Sequence, residues 1–354
     1  MSEPPVLRPY STRPDRRLIW WAIGLGIVYG LFGRLAFGNH LDHDSLIGSM
    51  FGPMTVAFLF AVPFALGFLT IWIAGYEPRW GVWLWITLPW IPAFAAMGAA
   101  LLFAWEGIIC ILLWAPLVAI MSSLGGVIAG IWRRRQQRRA PPAVLAGALL
   151  LPFLLAPLES RFTAPDSVRV VPTAIDIAAD ADTVWNEIVE VRPIARSEQG
   201  TRLVRLNGFP HPVEARTLGR GVGSVRHATF EGGVLFVETV TQYDPGRHLA
   251  FSIKADPDSI PQQTLDEHVT VGGPYFDVLE GDYRIETLAP HRVRLHLASR
   301  HRLSTHFNLY AGAWTDFILR DVQENILDVV RRRAEAAAVE KLKSPAEPAS
   351  GPPG

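Results

Sequence analysis

Arg226 and Glu238 lie in two alternating segments, VRHATF and LFVETV, on either side of EGG. A guanidinium facing a carboxylate can form a charge-assisted pair, orient an oxygen-bearing ligand, or take part in acid and base chemistry. Whether the two face each other is a question of register. If Glu231, Gly232 and Gly233 form a hairpin loop, Phe230 faces Val234, Ala228 faces Phe236 and Arg226 faces Glu238. All six then share one face, because strand side chains alternate. That face also carries Val240, so it suits the wall of a concave interior. The opposite face, with Val225, Leu235 and Val237, is the competing candidate. If that face is the inner one, the pair is a solvated bridge contributing about 0 to 1 kcal/mol.

Other groups able to touch a ligand follow the same alternation. Tyr283 and Ile285 share an apolar face, as do Val293, Leu295, Leu297, Ser299 and His301, while Arg284, Glu286, Arg292, Arg294 and His296 alternate with them. His301 therefore ends an inward row. Downstream, Tyr310, Trp314, Phe317, Ile318 and Asp321 follow a helical stripe that is expected to pack into the sheet. The candidate ligand-binding residues are Arg226, Phe230, Phe236, Glu238, Tyr283, His301, Tyr310 and Trp314; no catalytic residue is assigned.

Several other chemistries lack the residues they need. His291, His296, His301 and His306 recur every five residues. On a strand, neighbours five apart are roughly 16 Å apart and face opposite sides, whereas zinc ligands lie within about 2.1 Å of the metal. GRGVG, residues 219 to 223, has no GKS or GKT ending and leads into a strand, so it reads as a turn or bulge rather than a phosphate loop. GxSxG, HExxH and cysteine clusters do not occur, and Cys110 is the single cysteine. No metal or cofactor is expected. The 33 Lys and Arg balance 33 Asp and Glu, which gives no support for a nucleic-acid partner.

The elements that must position these residues begin at Ser167, where continuous apolarity gives way to alternation. SVRVVPTAIDIAA reads as a strand, and Asp180 or Asp182 can cap the helix DTVWNEIVEV, whose apolar face is Val184, Trp185, Ile188 and Val191. An Arg-rich stretch of undefined structure runs to about residue 215. Strands are expected near 222–230, 234–243, 247–254, 281–288 and 292–302, separated by EGG, DPG and APH, and a long helix over about 305–338. ADPDSIPQQTLDEHVTVGGPYFDVLEG, between two strands, has the length and turn content of a mouth or lid. SPAEPASGPPG has a disordered composition, so residues 339–354 are read as a tail.

The first half is different in kind. Ten of twelve tryptophans precede residue 133, and apolar windows fall at about 18–38, 51–75, 80–104, 107–132 and 142–158. A bilayer core about 30 Å thick needs roughly 20 helical residues, which the first four windows supply; the fifth is shorter and carries Pro152 and Pro157. Arg34 lies one turn from the end of the first window, where it can extend to the interface. Trp20, Trp21, Trp80, Trp105 and Trp132 lie near window ends, as interfacial aromatics do. The small residues of AFAAMGAA and SSLGGVIAG suit close helix packing.

The tail before residue 18 bears Arg8, Arg13, Arg16 and Arg17; GYEPRW bears Arg79; and IWRRRQQRRAPP bears five arginines. GNHLDHDSLIGS and AWEG bear no Lys or Arg. The alternation predicts five spans, with the basic segments cytoplasmic and everything after residue 158 outside. The expected location is a bacterial inner membrane.

The pieces DADTVWNEIVEV, GRGVGSVRHATF, VETVTQYDPGRHLAFSI and the closing helix resemble the START-like, or SRPBCC, superfamily: the polyketide cyclase, dehydrase and lipid-transport group with the helix-grip fold. The resemblance covers about residues 167–338, and the chain also looks like a membrane-anchored bacterial branch of that group. It implies an α+β domain whose antiparallel sheet wraps a long C-terminal helix, joined to an α-helical multi-span membrane domain. In hormone-receptor members a Glu at the place matching Glu238 lines the ligand pocket. The resemblance implies a membrane-tethered protein that binds a hydrophobic or lipid-like molecule. Cyclase-like or dehydratase-like chemistry in the same cavity, with Glu238 or His301 as base and Arg226 steadying an enolate, is the enzyme alternative. A ligand sensor coupled to the membrane module is the third.

Overall fold

The computed structural model describes residues 16–38, 50–75, 81–135, 142–195, 197–198, 210–255 and 271–343. The chain divides into two compact units, one formed by Met1–Gly107 with Ile111–Thr163, the other by Ile108–Cys110 with Ala164–Gly354.

The regular elements among the described residues of the first unit are helices: α1 (Arg16–Ala36), α2 (a π-helical turn, Ala57–Ala61, continuing as Val62–Ala74), α3 (Val82–Thr87), α4 (Trp90–Leu102), α5 (Ile108–Arg135, from Ile111 onward in this unit) and α6 (Pro142–Glu159). Arg16–Ala36, Ala57–Ala74, Val82–Leu102 and Ile108–Arg135 are long and apolar enough to cross a membrane, and Ala143–Glu159 is a shorter apolar helix.

Glycines bring α2 and α5 into backbone contact. A Cβ on Gly67 would lie 1.9 Å from the Ser122 carbonyl oxygen, and one on Gly125 would lie 2.0 Å from that of Phe64. Only hydrogen fits at either place, the close-approach role the small-residue run suggested. Pro63 has no N–H to offer the Leu59 carbonyl one turn earlier, and the Trp114 indole donates to that carbonyl at 3.0 Å.

Arg34 does not extend outward as expected. Its Nε lies 2.6 Å from Glu106 Oε1, and Nη2 donates to the Trp105 carbonyl at 2.6 Å. At the end of α6, the Glu159 carboxylate accepts from the backbone N–H groups of Val56 and Ala57 at 2.7 and 2.9 Å. It serves donors that open α2 and have no intrahelical partner.

The described residues of the second unit form a seven-stranded antiparallel sheet with two α-helices. Its strands are β1 (Asp166–Ile177), β2 (Pro212–Leu218), β3 (Val225–Phe230), β4 (Leu235–Asp244), β5 (His248–Ala255), β6 (Phe276–Ala289) and β7 (Arg292–Ser304). The order across the sheet is β1-β7-β6-β5-β4-β3-β2. Helix α7 (Ala181–Val189) follows β1, and α8 (Asn308–Lys343) closes the chain. Asp180 caps α7, its side chain accepting from the Thr183 N–H at 2.7 Å. The main core joins Ile177, Val184, Trp185, Ile188, Val240, Leu249, Phe251, Leu295, Leu297, Leu327 and Val330.

Two expectations need correction. Strand β2 begins inside the stretch taken as undefined, and β6 begins at Phe276, so FDVLEG belongs to the sheet; residues 256–270 of the expected lid lie outside the described residues. Of the helical stripe only Ile318 is buried, and its aromatics are misplaced. Phe317 is 40% exposed, and Trp314, half-buried, meets it edge-on at 6.2 Å. The face that α8 turns to the sheet carries Gln323, Leu327, Val330 and Ala334 instead. It includes polar residues because strand groups need partners there. Gln323 Nε2 donates to the Val171 carbonyl and to Ser299 Oγ, while its Oε1 accepts from Thr173.

A clamp joins α8 to the segment after α7. Arg333 donates to both Glu198 oxygens at 2.7 and 2.9 Å and to the carbonyls of Arg192 and Pro193. The Arg333 guanidinium holds the Glu198 carboxyl down at about 2, from a usual 4.5. A depressed folded value stabilises above the unfolded one and is lost as pH falls through the folded one. Denaturation midpoints of the detergent-solubilised chain should therefore drop as pH falls from about 4.5 towards about 2. Glu198→Gln should flatten the drop over that window; an unchanged profile would assign acid sensitivity to other carboxylates.

Candidate functional site

The β3–β4 hairpin turns through Glu231–Gly233, with Gly232 and Gly233 at positive φ, the backbone state glycine tolerates. The turn sets Ala228 opposite Phe236 and Arg226 opposite Glu238. The even-numbered face is the inner one: Arg226 is 4% exposed and Glu238 5%. Arg226 Nη1 donates to Glu238 Oε2 at 2.5 Å, and Nη2 donates to the Ile188 carbonyl near the end of α7 at 3.2 Å.

The guanidinium lies over the Phe251 ring, 5.2 Å from its centroid. That ring in turn occupies the space above Gly281, where a Cβ would come within 2.6 Å of it. Burial pushes the Glu238 carboxyl up, against the downward pull of Arg226. Burial also pushes Tyr283, on β6, up to about 12. Phe230 and Phe236 pack with centroids 4.9 Å apart. Phe236 also packs against a smaller apolar cluster of Ala255, Val271 and Val278, with Ile253, Phe276 and Leu319.

His301 is fully buried on β7, with its ring 5.8 Å from that of Phe276. Its Nε2 lies 3.2 Å from Thr315 Oγ1 and 3.7 Å from Asp316 Oδ1, both on α8. Asp316 is held in turn by Arg169 of β1, whose Nε donates at 3.0 Å. Gly312 leaves room for that guanidinium, which a Cβ would meet at 3.0 Å. Arg169 keeps the Asp316 carboxyl below its usual range, and burial lowers the His301 value, so the imidazole is neutral. His296 faces the other way and meets Glu286 at 3.1 Å on the charged outer surface, so the regular histidine spacing brings these rings to opposite faces.

The structure thus gathers Arg226 and Glu238, with Tyr283 in their field, and sets Phe230 against Phe236. His301 sits beside α8, Tyr310 is half-buried in its first turn, and Trp314 stands with Phe317 near the surface. Phe251, Arg169, Thr315 and Asp316 were missed. A signal existed for Arg169, a charge inside the inward row of Ser167, Val171, Thr173 and Ile175. For Thr315 and Asp316 the aromatic stripe pointed to a different face of α8.

No family model matches the chain, and no curated protein matches it. Solved structures do. The Zhui aromatase/cyclase from Streptomyces sp. R1128 aligns with 52% of this chain and 99% of its own, at 19% identity and a TM-score of 0.31. A START superfamily protein from Mycobacterium smegmatis aligns over 48% and 98%, at 13% identity and 0.32. Norcoclaurine synthase from Thalictrum flavum, in complex with dopamine and hydroxybenzaldehyde, aligns over 51% and 91%, at 12% identity and 0.31. The second unit itself is a seven-stranded antiparallel sheet closed by a long helix.

Proposed function

We propose that this is a membrane-tethered START-like protein that binds a hydrophobic or lipid-like molecule between the sheet and α8. The observation that carries the reading is the Arg226–Glu238 pair: two charges held inside an aromatic interior, beside Phe251 and Tyr283. Replacing such a pair by packed apolar groups is often neutral or stabilising, so its retention calls for a role beyond stability, and orienting a ligand is one. Native mass spectrometry of the detergent-solubilised chain should reveal a co-purified small molecule, and a fluorescent fatty acyl probe should bind saturably. Absence of both would defeat the reading.

Cyclase-like or dehydratase-like catalysis is the second reading, favoured by one observation. Burial pushes Glu238 up, so it can hold and release a proton nearer neutrality. Chemical change in a trapped ligand, lost in Glu238→Gln with binding retained, would move the assignment to an enzyme.

For the tether, five spans in a bacterial inner membrane fit best. Besides the four longer segments, α6 packs along its neighbours: Tyr29 donates to the Leu149 carbonyl at 3.1 Å, Phe153 meets Phe37 at 5.5 Å, and Glu159 reaches the start of α2. Its 18 residues reach about 27 Å, close to a bilayer core. An odd number of spans with a cytoplasmic N-terminus leaves the START-like unit outside. Alkaline phosphatase fused after Glu340 should be active; an inactive, well-expressed fusion, with an active cytoplasmic reporter at the same site, would reject five spans.

A further inference from the structure

Among the described residues of this unit, four buried side-chain atoms have no hydrogen-bond partner, Glu187 Oε2, Asp277 Oδ1, Arg226 Nε and His301 Nδ1, and the last two belong to residues turned to the inner face of the sheet. Those two residues are 4% and 0% exposed, so bulk water does not serve them, and an unmade buried bond is expensive. Arg226 Nε can only donate. What His301 Nδ1 can do depends on the tautomer, which its neighbours fix. Thr315 Oγ1 donates to the Gly312 carbonyl at 3.2 Å, which commits the one hydroxyl proton. Towards His301 the same oxygen must then accept, so Nε2 carries the ring proton. Asp316, 3.7 Å from Nε2, favours a proton on the same nitrogen, while Arg169 disfavours a second proton on the ring. Nδ1 is therefore a bare acceptor.

The charges nearby are already matched, Arg226 by Glu238 and Arg169 by Asp316. A net charge on the ligand would be buried without compensation. The strands between β7 and β3 carry Phe276, Val278, Ile253 and Phe236, which belong to one apolar cluster. β7 and β3 are four strand spacings apart, about 19 Å along the curved sheet.

Building on the ligand-binding reading above, we propose that the ligand is an uncharged, elongated amphiphile that donates a hydroxyl to His301 Nδ1 and accepts from Arg226 Nε through a carbonyl or ether oxygen. Its hydrocarbon body lies on the apolar surface between them. His301 then determines specificity, selecting a hydroxylated chain over its plain counterpart.

The test displaces a fluorescent fatty acyl probe from the full chain in nanodiscs with methyl hexadecanoate or its ω-hydroxy derivative. The hydroxy ester should act at about tenfold lower concentration, a modest share of what a site built around a hydroxyl can reach. His301→Phe should bring the ratio close to one. Where that variant does not fold, Thr315→Val serves instead; it removes the acceptor that fixes the tautomer and should narrow the ratio. Arg226→Lys keeps the charge, removes Nε and should weaken both esters alike, leaving the ratio intact. Histidine-selective 15N spectra of the unliganded chain should show His301 protonated at Nε2. Equal displacement by the two esters in the wild type, or a proton on Nδ1, overturns the hydroxyl assignment while leaving a lipid pocket standing. Arg226→Lys without effect overturns the acceptor end. Failure of the probe itself to bind overturns the pocket and this inference together.

Discussion

Arg226→Met should destabilise the second unit by about 3 to 5 kcal/mol, the range expected when one partner of a buried ion pair is removed and the other is left in place. The remaining carboxylate of Glu238 is 5% exposed, and the substitution also strips the Ile188 carbonyl of its Nη2 donor. Methionine roughly fills the space, so the loss reads charge rather than volume. Glu238→Gln should cost less, since an amide can still accept from Nη1. The double variant Arg226→Met/Glu238→Leu should cost less than the sum of its singles, because no charge is left stranded.

A pH signature separates this from ordinary packing loss. In Arg226→Met nothing opposes the upward push of burial on Glu238, so the folded state favours the protonated acid. A raised folded value stabilises at low pH and is lost as pH climbs through it, so the deficit of the variant should grow from the usual 4.5 upward. Denaturant midpoints across that range provide the check. Near-silent, additive singles would mean that the pair is solvated.

Leu327→Ala should cost about 2 to 5 kcal/mol, since Leu327 is 1% exposed in the main core beside Val330 and Leu295. Trp314→Ala, by contrast, should cost under about 2 kcal/mol although it deletes far more atoms. That ring is half-buried and already shares its face with exposed Phe317, so its removal opens a surface notch rather than a sealed cavity. Thermal melts of the two variants rank them directly; the reverse order would mean that α8 is rotated about its axis.

What the sequence disclosed follows from how local each signal is. Register in the β3–β4 hairpin is legible because, once EGG is the loop, the two-residue alternation sets Arg226 opposite Glu238, as the strands pair; which face turns inward is decided by the fold. The inner face of β7, down to His301, was legible for the same reason. The face of α8 was not. Its 36 residues carry apolar groups on more than one side, and aromatics at Tyr310, Trp314 and Phe317 outweigh, by hydrophobicity alone, a sheet-facing row that includes Thr315, Asp316 and Gln323. Those polar residues turn inward because Arg169, Ser299 and His301 wait for them on the strands, a pairing between segments more than a hundred residues apart for Arg169. β2 was missed because PVEARTL alternates for only seven residues and has a bulge against β3.

The contact of α2 with α5 through Gly67 and Gly125 bears on whether the helical unit can relay a signal. A helix that ratchets past its neighbour by one turn must present at the contact the residue four places away. For α2 that brings Pro63 or Ile71 to the Ser122 carbonyl, and for α5 it brings Met121 or Ala129 to that of Phe64. Every one of these carries a Cβ where only hydrogen fits. The two helices are keyed together like a shaft in a slot, and this seam is the fixed bearing about which the rest of the helical unit must move.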